Sequence, residues 1–186
     1  MFNHLQIDRS KLSSHLSDAI NKSVSYDDAL AAGLRILCEY INWDYGEIWI
    51  LDQDSDILQI SPIWCFHDRA KNDECRLSWQ QFQVCSQEFT LHLGEGLPGR
   101  VCLSHRAEWI AEVSIASEKY FLRHLIAKAF GLKAALGVPV EIEGERQSVF
   151  VFFNSEVCEQ DPDLMQSVEI AAIRFGEYLS RMKIIT

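Results

Sequence analysis

Residues 46–66 read GEIWILDQDSDILQISPIWCF, and they decide the fold class of this 186-residue chain. Two runs rich in β-branched and aromatic residues, 46–52 and Ile57–Phe66, flank the polar turn at 53–56. This pattern is typical of two antiparallel strands joined by a short turn. Pro62 indicates a bulge or a sheet edge, because proline cannot donate a hydrogen bond to a neighbouring strand. We therefore predict a sheet that is antiparallel at this point.

The segments around this hairpin have either helical or strand periodicity. Apolar residues at helical spacing predict helices up to about Asn42, and Ser25 with Asp28 resembles a capping box that restarts the helix. Segment 77–88 fits a helix or an irregular flap. We expect further strands at 89–93, 108–113, 134–142 and 147–153, and helices at 97–104, at 118–130 and over about 22 residues from Pro162. An antiparallel sheet with helices on its faces belongs to the α+β class.

Composition and charge restrict the class of protein. The chain is 48% hydrophobic and 24% charged, which is ordinary for one globular domain, and its formal net charge is −10. A strongly negative field repels phosphate backbones and anionic lipids, which argues against nucleic acid and membrane partners. The polar N-terminus does not resemble a secretory signal. No stretch approaches the roughly 18 to 20 apolar residues that a membrane span needs.

The cysteines favour a reducing compartment. Six are scattered along the chain without a C-x-x-C pair: Cys38, Cys65, Cys75, Cys85, Cys102 and Cys158. In a chain of this length without a signal, such spacing favours reduced thiols and predicts a cytoplasmic location.

Three local motifs carry both a chemical and a structural interpretation. Gly94-x-Gly96-x-x-Gly99 matches the dinucleotide fingerprint in letters, but that site requires a parallel βαβ unit, so a structural turn is favoured. Cys102-x-x-His105 offers two metal ligands, whereas a closed zinc site needs four. His124 lies within the predicted helix at 118–130 and suits either the edge of the core or a ligand contact.

The C-terminal helix carries an apolar stripe with heptad-like steps of three and four residues: Leu164, Val168, Ala171, Phe175, Leu179 and Met182. Such a stripe packs against the chain's own sheet or first helix, or against the same helix of a second copy. Because neighbouring Ala172 and Ile173 widen the stripe, both arrangements are compatible with the sequence.

Four segments in this order resemble a GAF domain. They are GEGLPGRV from Gly94, RAEWIAEV at 106–113, FGLKAALGVPV at 130–140, and FFN followed by DPDL at the start of the last helix. The resemblance covers roughly residues 27–183. It implies a central six-stranded antiparallel sheet, with the N- and C-terminal helices packed on one face. Flap loops and short helices would then cover a small-molecule pocket on the other face.

Residues that carry chemistry in particular GAF members are missing here. Leu122 and Arg123 replace the Cys-His pair of bilin-binding cyanobacteriochromes, which argues against a covalent bilin and leaves any cofactor unknown. Asn154 is followed by Ser155 and not by the lysine of the cyclic-nucleotide signature. The cysteine positions of free methionine sulfoxide reductases correspond to Pro98 and to positions near Glu88 and Lys128, and none of these is cysteine.

The resemblance then predicts a function and a site. We expect residues 1–24 to form an N-terminal helix for signalling or dimerisation, and residues 25–186 to form the GAF domain. The domain would be a non-catalytic sensory or regulatory module of bacterial signal transduction. It would form a homodimer through its terminal helices and act on a kinase or another effector. The expected pocket residues are Trp64, Phe66, Trp79, Phe82, Trp109, Phe121 and His124.

Three alternatives remain open at this point. The aromatic residues could fill the pocket and leave a purely structural domain, since aromatic side chains also dominate ordinary cores. A haem- or metal-dependent redox sensor would use His124, or Cys102 with His105. An enzyme would use Cys102 as a nucleophile, which requires a thiol with a lowered pKa.

Overall fold

The computed structural model describes residues 9–67, 73–142 and 146–182. The helices are α1 (Arg9–Lys22), α2 (Tyr26–Ile41), α3 (Asp73–Ser86), α4 (Gly96–Ser104), α5 (His124–Ala129) and α6 (Pro162–Ser180). The strands are β1 (Tyr45–Asp52), β2 (Ile57–Phe66), β3 (Thr90–His92), β4 (Glu108–Ile110), β5 (Ala134–Ile142) and β6 (Arg146–Asn154), and a 3-10 turn spans Val113–Ile115. They form one antiparallel sheet in the order β3-β2-β1-β6-β5-β4, which confirms the predicted α+β class.

Helices α1, α2 and α6 cover one face of the sheet. The Ser25 hydroxyl accepts a hydrogen bond from the Asp28 amide at 3.1 Å, so the predicted cap begins α2. Pro162 occupies the first turn of α6, and Asp161 caps it. Most of the predicted apolar stripe of α6 is buried against the chain's own sheet: Val168, Ala171, Phe175 and Leu179. Within the described ranges, no helix combines the length and apolar composition that crossing a membrane requires.

Helices α3, α4 and α5 cover the opposite face, so both sides of the sheet are buried. The residues of β5 alternate between the two cores, with Leu136 facing the terminal helices and Ala135 facing α3 to α5. Segment 77–88, for which the sequence fitted a helix or an irregular flap, is helical for most of its length as part of α3. The aromatic residues singled out in the sequence lie mainly on this second face.

The β1–β2 hairpin follows the prediction, and Pro62 marks an irregularity within it. Glu47 pairs with Trp64 and Trp49 with Ile60, so one residue of β1 lies opposite three residues of β2, 61–63. Strand β3 pairs only with the first three residues of β2, so none of the described strands pairs with β2 on its outer side at Pro62. Bulges of this kind often adjoin functional sites.

The Gly94–Gly99 segment forms a tight turn between β3 and α4. Gly94 has φ 82° and Gly96 has φ 59°, a region that favours glycine, and the Gly94 amide donates to the Gly99 carbonyl at 2.8 Å. A Cβ at Gly99 would overlap the His92 carbonyl oxygen. Since every pairing in the described sheet is antiparallel, the glycines serve a structural turn and not a parallel dinucleotide site.

The helix predicted at 118–130 is wrong over its first half. The described helix α5 begins only at His124, and the Phe121 amide belongs to a turn that bonds to the Ser117 carbonyl at 2.9 Å. In a continuous helix Phe121 and Leu125 would share a face, yet Phe121 is buried and Leu125 is exposed. Smaller differences are a shorter β4, which ends at Ile110, and an α6 of 19 residues.

The first eight residues of the predicted segment 1–24 lie outside the described part of the chain. Residues Arg9–Lys22 form α1, residues 23 and 24 lie beyond its end, and Leu12, Leu16 and Ile20 of α1 join the core under α2 and α6. The signalling or dimerisation role expected for this segment stays a prediction.

Candidate functional site

The second face of the sheet carries a cluster of large buried rings. The two central strands contribute Tyr45, Trp49 and Phe153, because alternate residues of an antiparallel strand point to the same side. Helix α3 and the turn before α5 contribute the others. We call these six residues the aromatic cluster: Tyr45, Trp49, Trp79, Phe82, Phe121 and Phe153. Each is at most 2% exposed, so the chain's own side chains fill this part of the interior.

A buried ion pair lies within the aromatic cluster. The Arg123 guanidinium donates to Glu47 Oε1 at 2.5 Å, and these side chains are 2% and 0% exposed. Trp49 Nε1 donates to the same carboxylate at 2.8 Å, and the Tyr45 hydroxyl donates to it at 3.2 Å. Burial, with the adjacent Glu47, raises the pKa of Tyr45 well above its ordinary value, so Tyr45 remains a donor. Arg123 also donates to the Ser86 hydroxyl at 2.9 Å.

Four rings surround the guanidinium of Arg123, and we call them the aromatic cage. The Arg123 Cζ atom lies 5.0 Å from the ring centre of Trp49, 5.1 Å from Phe82, 5.4 Å from Phe153 and 5.8 Å from Phe121. Distances within about 6 Å are those of cation–π attraction, which strengthens when the cation is desolvated. The structure therefore holds a cation between one carboxylate and several aromatic faces.

An ion pair and hydrogen bonds also hold the segment that carries Arg123 on its outer side. Arg100 makes a two-nitrogen ion pair with Glu108, with the closest contact at 2.5 Å, and donates to the Tyr120 carbonyl at 2.6 Å. The Tyr120 hydroxyl donates to Glu108 at 2.9 Å, and the Arg100 guanidinium lies 4.1 Å from the Tyr120 ring centre. These groups are partly exposed, so solvent screens this outer contact more than the buried pair.

The predicted pocket residues do not all lie together. Trp79, Phe82 and Phe121 belong to the aromatic cluster, whereas Trp64 and Phe66 are half-buried at its edge, where both rings neighbour Tyr45. Whether any of them contacts a ligand stays a prediction.

Trp109 lies on the other face of the sheet, so its placement beside the pocket residues is wrong. Its ring contacts Trp43 edge-on at 4.9 Å, and its Nε1 donates to the Cys158 carbonyl at 2.8 Å. The next residue, Ile110, faces the aromatic cluster instead. In a strand of three residues, a register difference of one moves a side chain to the opposite face.

His124 begins α5 directly after Arg123. It is half-buried, and its buried Nδ1 has no hydrogen-bond partner within the described residues. His124 is therefore the chain neighbour of Arg123, and one of its ring nitrogens has no hydrogen-bond partner among the described residues.

An open groove adjoins the edge of the cluster. It has a volume of about 430 Å³ and is lined by Arg35, Glu39, Trp64, Cys65, Phe66 and Arg76. Polar and charged groups provide most of this lining, in contrast to the buried rings. Trp64 and Phe66 thus line this open groove and also neighbour Tyr45 of the aromatic cluster.

Cys102 and His105 do not form a common site. Cys102 is buried, and burial together with the nearby Glu141 carboxylate raises the pKa of its thiol to about 11. His105 is exposed and its Nδ1 contacts Glu141 instead. A thiol with so high a pKa is protonated at neutral pH, whereas a nucleophile or metal ligand must be a thiolate.

The charged residues of the site, Glu47 and Arg123, were not among the predicted site residues. Glu47 had a usable signal, because it is an acidic residue between apolar neighbours and is two positions from Trp49 in a strand. Charged residues are rarely buried unless they are paired. For Arg123 the resemblance carried the only signal, since Leu122 and Arg123 occupy the positions of the Cys-His pair of bilin-binding members; the helix predicted over 118–130 gave no reason to bury it.

Comparison with known proteins extends the fold assignment. No family model matches the sequence, and no curated protein does. The GAF domain of an Acinetobacter phosphoenolpyruvate-protein phosphotransferase has a TM-score of 0.66 at 16% identity over 93% of both chains. Free methionine-R-sulfoxide reductase from Neisseria meningitidis, solved with its substrate, has 0.65 at 14% identity over 93% of this chain and 90% of that one.

A third solved structure is the phycocyanobilin-bound GAF domain of a cyanobacterial phytochrome. It has a TM-score of 0.66 at 12% identity over 96% of this chain and 97% of the other. These similar structures therefore include a domain of a phosphotransferase, a reductase and a pigment-bound domain, so the shared architecture does not select one activity. This chain has the fold of a GAF domain.

Proposed function

We propose that this chain is a non-catalytic sensory or regulatory domain that binds a small molecule at the aromatic cluster. The observation that carries the proposal is the buried Glu47–Arg123 pair. Replacing a buried ion pair with apolar residues of similar size is often neutral or stabilising, so stability alone does not account for it. Charged groups buried among aromatic side chains are typical of ligand sites.

Two observations support a non-catalytic role. The raised pKa of Cys102 opposes thiolate chemistry at neutral pH. The position inside the glycine-rich turn that carries a cysteine in free methionine sulfoxide reductases is Pro98 here, and Pro98 is buried at the start of α4. The N. meningitidis enzyme has this fold too, so the proposal depends on these residues and not on the fold.

Native mass spectrometry of the purified chain tests ligand binding. We expect a mass excess under native conditions that disappears on denaturation, and that is reduced in Glu47→Gln relative to the exposed-site control Glu159→Gln. A bare protein mass, together with no thermal stabilisation by any compound of a metabolite library, would contradict the proposal.

The second part of the proposal is a homodimer formed through the terminal helices. The stripe of α6 is already used within the chain, but Ile170 and Ile173 lie beside it and are 39% and 57% exposed. The 19 residues of α6 extend roughly 28 Å at 1.5 Å per residue, and a stable interface buries about 800 Å² on each partner. Helices α1 and α6 together offer a surface of suitable length.

Sedimentation velocity over a range of concentrations tests the dimer. We expect the unmodified chain to dimerise and Ile173→Glu to shift the equilibrium towards monomer. The matched control is Ile115→Glu, because Ile115 is 77% exposed on the 3-10 turn, away from α6. A monomer at all concentrations, or an equal effect of both substitutions, would exclude this interface.

A further inference from the structure

The Arg123 guanidinium occupies its site as a bound organic cation would. The four rings of the aromatic cage lie 5.0 to 5.8 Å from its Cζ atom, and Glu47 neutralises its charge. Aromatic rings around a cation, closed by a carboxylate, are the common arrangement for binding alkylammonium and related ligands. Here the cation belongs to the protein itself.

The two halves of the ion pair are held very differently. Glu47 lies in β1, which has strands on both sides, and two side-chain donors hold its carboxylate, those of Tyr45 and Trp49. Arg123 lies in the turn segment 116–123, whose backbone belongs to no strand or α-helix. If the two halves separate, the anionic half therefore stays in place and the cationic half moves.

We propose that Glu47 and the aromatic cage form a receptor for a small organic cation of the guanidinium or alkylammonium class, with Arg123 as its internal competitor. This inference rests on the proposed ligand-binding function, of which it names the ligand class. An incoming cation replaces the guanidinium in the cage, and the Arg123 side chain turns outward while the Phe121 ring stays in the cage. No covalent step is involved.

The charge of the chain supports a cationic ligand. With a formal net charge of −10, the protein attracts cations at long range and repels anions. The retained Glu47 carboxylate would also oppose an anionic ligand, because Arg123 is its counter-charge. Because Arg123 competes for the cage, the apparent affinity for an added cation is the intrinsic affinity multiplied by the fraction of molecules in which Arg123 has left the cage.

Arg123→Ala with N-ethylguanidinium as the probe tests the receptor directly. The probe reproduces the part of the arginine side chain that the substitution removes. At a probe concentration tenfold above its dissociation constant, we expect the melting temperature of Arg123→Ala to rise by roughly 3–6 °C. N-ethylurea is the matched control, because it has a similar shape without the charge, and we expect it to have no effect.

The second control is the double variant Glu47→Gln/Arg123→Ala, which should lose most of the response to N-ethylguanidinium. A folded Arg123→Ala protein that gains no stability from the cation, or that responds equally to N-ethylurea, overturns the proposal. An unchanged response in the double variant also overturns it, because binding would then not involve Glu47.

If Arg123→Ala does not fold, the unmodified chain provides the test. The chain has five tryptophans, and the indole N–H signal of Trp49 is identified by its loss in Trp49→Phe. We expect N-ethylguanidinium to move this signal saturably, because Trp49 Nε1 donates to Glu47. A signal that does not move, or that moves equally with N-ethylurea, overturns the proposal. A neutral or anionic ligand found by native mass spectrometry would overturn the ligand class and leave the sensory function standing.

Discussion

Removing the charge of Arg123 is expected to destabilise the fold strongly. Arg123→Met keeps an unbranched side chain of similar length but leaves Glu47 buried without a counter-charge. It also removes the hydrogen bond to Ser86 and the contacts with the aromatic cage. Breaking a buried ion pair on one side typically costs about 3–5 kcal/mol. We expect the free energy of unfolding to fall by this amount, whereas Arg106→Met, at an exposed position, should change it by less than about 0.5 kcal/mol.

The double variant separates the charge effect from lost packing. Glu47→Gln removes the carboxylate charge and keeps a carbonyl oxygen that accepts from Trp49 or Tyr45. Glu47→Gln/Arg123→Met therefore contains no unpaired buried charge. We expect it to be more stable than Arg123→Met alone, with a coupling energy of about 2–3 kcal/mol between the two positions.

Urea unfolding at equilibrium, followed by tryptophan fluorescence and by far-UV circular dichroism, measures all four proteins of this cycle. The comparison is valid when the two probes coincide and the denaturant slopes agree. If the effects of Glu47→Gln and Arg123→Met add up to that of the double variant within about 0.5 kcal/mol, the reasoning is refuted, because the ion pair would then contribute nothing specific. A fall of less than about 1 kcal/mol in the free energy of unfolding of Arg123→Met would refute it as well.

Three further predictions concern packing, thiol reactivity and pH. Gly176→Ala should cost about 1–3 kcal/mol in urea unfolding, because a Cβ there would overlap the Glu141 carbonyl oxygen of β5; an unchanged free energy would contradict this packing. Cys102, with a pKa of about 11, should be alkylated by iodoacetamide at pH 7.5 far more slowly than half-buried Cys85 in peptide mass mapping, and equal rates would contradict its burial. Burial raises the pKa of Tyr45 and of Cys102 in the folded protein. The stabilisation that their protonated side chains give to the fold is therefore complete below the pKa values of the unfolded chain, and it is lost as the pH rises through the pKa values of the folded protein. Urea unfolding should therefore give a declining free energy above about pH 9, and a constant value up to about pH 10.5 would contradict this sign.

Local patterns were sufficient to predict the first hairpin and the starts of α2 and α6, but not the start of α5. A strand pair with a short polar turn depends mainly on neighbouring residues, so the β1–β2 hairpin could be predicted from 46–66 alone. The Ser25 cap of α2 and the proline at the start of α6 likewise act within four residues of their own positions. The number of strands came from the resemblance, and their order in the sheet was not predicted, because pairing between distant strands leaves no local signal.

The centre of the site depends on contacts that the sequence alone does not reveal. Glu47 and Arg123 are separated by 76 positions, and nothing near either residue identifies the other as its partner. The aromatic residues were easier to select, since large rings tend to be buried wherever they occur. Trp109 shows the limit of that reasoning, because it is only half-buried and the face of the sheet on which it lies depends on a register difference of one residue.

Strand β1 connects the ion pair with the opposite face of the sheet, which α1, α2 and α6 cover. Glu47 faces Arg123, whereas Ile48 belongs to the core under the terminal helices. Gly46 brings α2 close to the strand, since a Cβ there would lie 3.2 Å from Leu34. Packed interiors have low compressibility, so a displacement of β1 on one face must be accommodated by the helices on the other. A ligand that takes the place of Arg123 beside Glu47 would contact this strand, so any shift of β1 that it causes would pass to α2 and from there towards the terminal helices through which we propose the chain dimerises.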